Sequence, residues 1–284
     1  MASAYVNYNG QIYPPGTLLI SPNNRSFRYG DGFFETIKMI KGRVVLGELH
    51  FERLFNSLET LLFDKPKFFT AAALQEQIIA LATKNKHTAS GRIRLTVFRG
   101  EGGLYDAPDN HPNYLIQTWE MNPANNRLNE NGLVVGVFKD ARKASDRFSH
   151  IKSNNYLSYV MASIWAKQQK LNDALVLNSH DNIADATIAN VFIIKDGIIQ
   201  TPALTEGCVG GTMRRYLLQC IRKEALPLQE KSITLEDVKT ASEMFLTNAG
   251  YGMRWVQSCG QTNYSTQAAP LLYKNYVEPL YGNL

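Results

Sequence analysis

Through "LGELHFERLFNSLETLLF", Leu54, Phe55, Leu58, Leu61 and Leu62 recur at three- and four-residue spacing among charged positions, which predicts an amphipathic helix. "AALQEQIIALATKN" predicts a second. In "GRIRLTVFRG", Ile93, Leu95 and Val97 alternate with Arg92, Arg94 and Thr96, the two-residue period of a half-exposed strand, and "NYLIQTWE" supplies another. Asn9-Gly10 in "AYVNYNGQIY" and Lys41-Gly42 in "ETIKMIKGRVV" predict hairpin turns, so this part of the chain reads as α+β. "MNPANNRLNENG", rich in Asn with a Pro and a Gly, has the composition of a linker. The boundary is placed there: a smaller N-terminal α+β domain over 1–121, a linker over 122–132, and a larger C-terminal α+β domain over 133–284. In the latter, "LVVGVF", "DALVLNS" and "NVFIIKDGIIQTP" predict strands, the last pair joined at Asp196-Gly197. "NNYLSYVMASIWAKQQK" and "GTMRRYLLQCIRKEA" predict helices, and Thr234 N-caps a short one at "TLEDV", whose first turn is acidic.

Composition narrows the function classes. At 284 residues and 44% hydrophobic, the chain has material for two buried cores, and a small-molecule site is expected where two such domains meet. The N-terminus lacks a basic stretch followed by an apolar one, and no apolar run of about 18 residues occurs, so neither secretion nor a membrane span is expected and the protein reads as cytoplasmic. Three cysteines without a CxxC pair, and five histidines without HExxH, argue against a disulfide framework and against a metal site. The net charge of +5 is spread among acidic residues rather than gathered into a run, which argues against nucleic acid and suits small anionic ligands.

No segment alone matches a metal, triad or P-loop signature. In order, "YGDGFFET" (29–36), "HFERL" (50–54), "SHIKSNN" (149–155), "DATIANVFII" (185–194), "GGTMRR" (210–215) and "FLTNAG" (245–250) resemble the successive motifs of the class IV, fold-type IV pyridoxal-phosphate enzymes. That family comprises branched-chain and D-amino-acid aminotransferases and 4-amino-4-deoxychorismate lyases. The resemblance runs from about residue 5 to residue 256. It implies a two-domain α+β fold with pyridoxal 5'-phosphate in the interdomain cleft, a homodimer, and a small amino or 2-oxo acid substrate.

The cofactor needs an amine for its aldehyde, a partner for its ring nitrogen and an anchor for its phosphate. By the resemblance, Lys152 is the Schiff-base lysine, which also moves the Cα proton once substrate has displaced it. Asp185, where the family normally reads Glu, pairs with the pyridinium N–H although it is one methylene shorter. Arg53 in "HFERL" matches the family's phosphate-binding arginine, whose guanidinium fork suits phosphate oxygens. The helix opened by "GGTMR" offers a second phosphate anchor at Gly211, Thr212 and Met213, where the aminotransferases read Gly-Ile-Thr-Arg and the lyases Gly-Ile-Met-Arg. Thr247 and Asn248 match a loop touching phosphate or substrate.

Substrate positions divide the branches. Glu35 matches a Glu near the cofactor in aminotransferases, where some lyases carry Thr. Arg99 in "VFRGEGG" matches the arginine that receives a substrate carboxylate in D-amino-acid aminotransferases, but Phe34 replaces its partner Tyr and the partner His is absent. Asn155 and Leu157 point away from the branched-chain enzymes. The resemblance therefore implies an aminotransferase first and an aminodeoxychorismate lyase second, with a cofactor-binding protein of weakened catalysis as a third reading prompted by Asp185.

Overall fold

The computed structural model describes residues 4–282. The chain forms two compact units, the first running through Pro123 and taking in Lys152–Asn155, the second comprising Ala124–Ile151 and the chain from Tyr156 onward.

In the first unit the described residues form one antiparallel sheet. Its strands are β1 (Val6–Tyr8), β2 (Gln11–Tyr13), β3 (Gly32–Ile40), β4 (Arg43–Val44), β5 (Ser90–Phe98) and β6 (Asn113–Glu120), in the order β2-β1-β6-β5-β3-β4. Both predicted hairpins are present. Asn9 and Gly10 (φ +49° and +88°) and Lys41 and Gly42 (φ +48° and +76°) take the two successive left-handed conformations that a two-residue turn between twisted strands requires. The helices are α1 (Arg25–Tyr29), α2 (Gly47–Thr60) and α3 (Ala71–Lys84). α2 packs on β3 and α3 on β6. Ile37, Met39, Ile93, Leu95 and Ile116 are buried, as are Leu54 and Leu58 of α2 and Leu74, Ile78 and Leu81 of α3. Phe34, Thr36 and Lys38 lie on the other face, opposite Thr96, Arg94 and Arg92 in register.

In the second unit the strands are β7 (Leu133–Lys143), β8 (Asp173–Asn178), β9 (Ile183–Ala186), β10 (Asn190–Lys195), β11 (Ile198–Pro202), β12 (Leu228–Lys231), β13 (Glu243–Asn248), β14 (Gly252–Cys259) and β15 (Thr262–Asn263). They form a mixed sheet ordered β12-β11-β10-β13-β14-β7-β8-β9, with β15 on β14. Leu175, Leu177, Val191, Ile193, Leu246 and Val256 form one buried cluster and Phe138, Ala174 and Val176 belong to another, so β8 is buried on both faces, which accounts for its continuous apolar run. The helices are α4 (Leu157–Gln168), α5 (Thr212–Lys223), α6 (Leu235–Thr240), α7 (Ala268–Leu272) and α8 (Pro279–Gly282), with a π-helical turn at Tyr273–Val277. Thr234 caps α6 as predicted, in a reciprocal capping box with Asp237. α1, β9, β12, β14, β15 and the helices beyond residue 267 were not predicted. Among the described residues no helix is long and apolar enough to cross a membrane.

Candidate active site

The segment Lys152–Asn155 lies along β3 as a short added strand. Phe34 N–H donates to the Lys152 carbonyl and Asn154 N–H to the Gly32 carbonyl, each at 2.9 Å, and Phe33 and Ser153 form an antiparallel bridge. Glycine is required for this approach. A Cβ on Gly32 would sit 2.4 Å from the Val97 carbonyl oxygen and 2.8 Å from Asn154 Nδ2, and one on Gly30, at φ +69°, would sit 2.2 Å from Asn155 Oδ1. The motifs "YGDGFFET" and "SHIKSNN" are thus two halves of one contact. The half-buried Lys152 holds Nζ 4.7 Å from the centre of the Phe34 ring. The Arg94 guanidinium lies 3.6 Å from the same centre, and its Nε donates to Thr96 Oγ1 at 3.2 Å. Two cations on one aromatic ring make a seat for an anion beside an amine.

Glu35, next along β3, faces the opposite way, toward α2. It is 1% exposed and accepts from Arg53 Nε at 2.7 Å, Arg53 Nη2 at 2.5 Å and His50 Nδ1 at 2.7 Å. Burial pushes the His50 imidazole below its ordinary value despite the carboxylate beside it, so the neutral ring donates Nδ1–H. Burial alone would raise the Glu35 carboxyl, but the Arg53 charge and the hydrogen bonds from His50 and Arg53 outweigh it and hold the group at about 2. Glu35 therefore orients Arg53 by a two-point grip.

Arg99 is spent locally. Its Nε donates to Asn110 Oδ1 at 2.8 Å, Nη1 to Asp31 Oδ1 at 2.7 Å and Nη2 to the Leu61 carbonyl, while the guanidinium lies 4.2 Å from the centre of the Phe63 ring. Receiving a substrate carboxylate would require releasing these contacts. Arg94, by contrast, was read only as a polar strand position. Its alternation was visible in the sequence, but its place beside Phe34 depends on the β3–β5 register.

Asp185 sits on β9 in the second unit and is 2% exposed. Its Oδ2 accepts from the Tyr159 hydroxyl at 2.8 Å, Val209 N–H at 2.9 Å and Lys143 Nζ at 3.3 Å, and its Oδ1 accepts from Asn190 Nδ2 at 2.8 Å. A carboxylate oxygen accepts about two hydrogen bonds, and among the described residues Oδ1 has one donor, so a ring N–H fits there. Burial and the nearby Asp185 hold the Tyr159 hydroxyl well above its ordinary value, which keeps it a donor. Burial, with Asp185 adding to it, pushes the Cys208 thiol up to about 12, so this cysteine is inert. Neither Lys143 nor Tyr159 was singled out from the sequence, where no motif marks them.

Asn190 also donates to the Val209 carbonyl at 2.7 Å, and it lies opposite Thr247 in the β10–β13 register. Thr247 is 1% exposed, and its Oγ1 has no hydrogen-bond partner among the described residues. Such an orphaned hydroxyl costs about 1–3 kcal/mol, which an oxyanion would relieve. α5 starts against Asn190 with Gly211 as N-cap, a residue with no side chain to cap the helix, and a Cβ there would lie 1.9 Å from Asn190 Oδ1. The first-turn amides of Thr212 and Met213 stand at the positive end of a 12-residue helix, where phosphate binds well, while their side chains are buried. Asn248 shapes its own turn, with Oδ1 accepting Gly250 and Tyr251 N–H at 2.9 Å and Nδ2 donating to the Ile188 carbonyl at 3.2 Å. These donors and acceptors fit the phosphate and ring nitrogen of the implied cofactor.

The family model for class IV amino-transferases matches residues 32–259. The aminodeoxychorismate lyase of Vibrio harveyi is 30% identical over 232 residues, 81% of this chain and 83% of its own. The D-alanine aminotransferase of Listeria monocytogenes is 27% identical over 229 residues, 79% of this chain and 77% of its own. The branched-chain aminotransferase of Thermoproteus uzoniensis shares the fold, with a TM-score of 0.88 at 21% identity over 98% of this chain and 95% of that one.

Proposed function

Because the chain belongs to the class IV amino-transferase family, whose enzymes depend on pyridoxal phosphate, we propose that it is an aminotransferase moving an amino group between an amino acid or amine and a 2-oxo acid. Bound pyridoxal phosphate supplies an aldehyde for imine exchange and a ring that takes up carbanion electrons. Lys152 provides the amine that holds it and, once displaced, the base that moves the Cα proton of the substrate. Asp185 Oδ1 accepts the ring N–H. Arg53, the amides of Thr212 and Met213, and Thr247 Oγ1 take phosphate oxygens, while Gly211 and Asn248 shape the loops that present them. Arg94 takes the substrate carboxylate, with Phe34 as the floor it shares with Lys152, and Arg99 braces the loops around its own strand.

The observation that carries this reading is Glu35, a buried carboxylate gripping Arg53 at the position where aminotransferases of the family carry Glu and some lyases carry Thr. A second reading, aminodeoxychorismate lyase releasing 4-aminobenzoate and pyruvate, is favoured by the 30% identity to the Vibrio harveyi lyase. A homodimer is part of the proposal. Leu157, Val160, Met161 and Ile164 form an exposed apolar stripe along α4 of the kind a second copy covers.

Purified protein given pyridoxal phosphate should show a visible absorbance band that Lys152→Ala removes. Amino-acid donors should then convert the cofactor to pyridoxamine phosphate. Pyruvate released from aminodeoxychorismate without that conversion turns the assignment to the lyase, and a band with neither reaction leaves a binding protein. A wild-type band that persists in Lys152→Ala, or no band at all, removes both enzymatic readings.

A further inference from the structure

A bulge in β7 selects which residue faces Asp185. The strand keeps step with β8 as far as Phe138, opposite Val176, and pairing resumes with Arg142 opposite Leu177 and Lys143 opposite Asn178, so residues 139–141 are looped out. In an unbroken register Asp140 would stand opposite Asn178. Side chains alternate along a strand, so whichever residue stands there shares a face with Val176 and with Asp185, the partner of Val176 on β9. The bulge thus puts a lysine where an aspartate would otherwise crowd a buried carboxylate. Arg142 braces it, donating Nη1 to the Lys139 carbonyl at 2.6 Å and Nε to Asp181 Oδ1 at 2.7 Å. The Lys143 side chain is 11% exposed, with Nζ 3.3 Å from Asp185 Oδ2 and 5.4 Å from the centre of the Tyr159 ring.

We infer that Lys143 is a positioning residue for the ring nitrogen of the cofactor: it joins Tyr159 and the Val209 N–H at Asp185 Oδ2, which leaves Oδ1 as the acceptor, and by sharing the carboxylate charge it sets how tightly the bound cofactor keeps its protons. The inference rests on the reading that pyridoxal phosphate is held at Asp185. The groups facing this carboxylate are Lys143 from β7, Tyr159 from α4, Asn190 from β10, and the Val209 N–H with the nearby Cys208 thiol ahead of α5, with Val176 of β8 paired to it across the sheet, while Lys143 in turn also faces Asp146 and His150. Of the four donors to the carboxylate, Lys143 alone carries a positive charge.

The test is a pH titration of the visible band of the Lys152-bound cofactor in the wild type, Lys143→Met and Lys143→Arg, each loaded with pyridoxal phosphate and checked for folding by thermal unfolding. Removing a cation from beside the carboxylate favours protonated forms, so the midpoint in Lys143→Met should rise by about one pH unit, a roughly tenfold gain in proton affinity. Lys143→Arg, which keeps the charge, should stay within about 0.3 of the wild type. Should Lys143→Met not fold, Lys143→Gln gives the same readout with a polar side chain. A folded, cofactor-bearing variant without the charge that titrates as the wild type does overturns the inference. A wild-type band that survives Lys152→Ala overturns the cofactor reading instead.

Discussion

Glu35 keeps its charge inside the first unit because Arg53 and His50 surround it, and this ties stability to pH. Its carboxyl, ordinarily at 4.5, sits at about 2 in the folded chain, so the folded state binds fewer protons; the stabilisation is complete above 4.5 and is lost as pH falls toward 2. His50 adds a slope of the same sign at higher pH, because burial lowers an imidazole that takes up a proton near 6.5 in the unfolded chain. Urea unfolding across this range should therefore show stability falling in two stages on acidification. Glu35→Gln should cost about 3 kcal/mol at neutral pH, since it leaves Arg53 without its buried counter-charge, and should flatten the lower stage. A variant as stable as the wild type would mean that another group orients Arg53. The two arginines on β5 and just beyond it should separate cleanly. Arg94→Leu should raise KM for a carboxylate substrate about a hundredfold while the Lys152 band stays in place. Arg99→Leu should leave KM near the wild-type value and lower the unfolding midpoint, because its donors hold Asp31, Asn110 and the Leu61 carbonyl.

Elements marked by turn chemistry or by periodicity were legible in the sequence, and elements defined by pairing alone were not. Asn9-Gly10, Lys41-Gly42 and Asp196-Gly197 all mark hairpins because residues tolerant of positive φ sit where two-residue turns demand it. β9 was missed because "IADA" is buried at every position, so it shows no alternation, and only its pairing with β8 makes it a strand. The β7 bulge was missed for a related reason: nothing in "FKDARK" distinguishes three looped-out residues from three paired ones. Arg94 and Lys143, which the proposals bring in, consequently went unnominated, whereas Lys152, Arg53 and Asp185 were nominated through the family motifs. The start of α5 gives a test at this scale. Gly211→Ala forces a Cβ to within 1.9 Å of Asn190 Oδ1, so Asn190 must move and release both Asp185 and the Val209 carbonyl. Cofactor affinity should fall by about tenfold or more and stability by about 1–3 kcal/mol, read by equilibrium dialysis and thermal unfolding. Unchanged affinity would show that the phosphate is anchored elsewhere.

For the molecule as a whole, the order of six motifs carried more than any single one, and the family match over residues 32–259 reaches into both units. The reaction itself was not legible at this scale, because the aminotransferases and the lyases need the same cofactor contacts and part only after the Cα proton is removed. Assembly is testable: sedimentation velocity should show a dimer, and Ile164→Glu, in the exposed stripe of α4, should shift it toward monomer without altering the folding of one chain. The path of the backbone carries a further consequence. The chain leaves the second unit after Ile151, gives Lys152–Asn155 to the first, and returns at Tyr156. A fragment ending at Pro123 would keep Phe34 and Arg94 but lack the lysine, and one beginning at Ala124 would keep the lysine but lack the glycines that seat it. On the proposed reading, gene fusion and domain shuffling, which pass intact modules between proteins, would disarm both halves here.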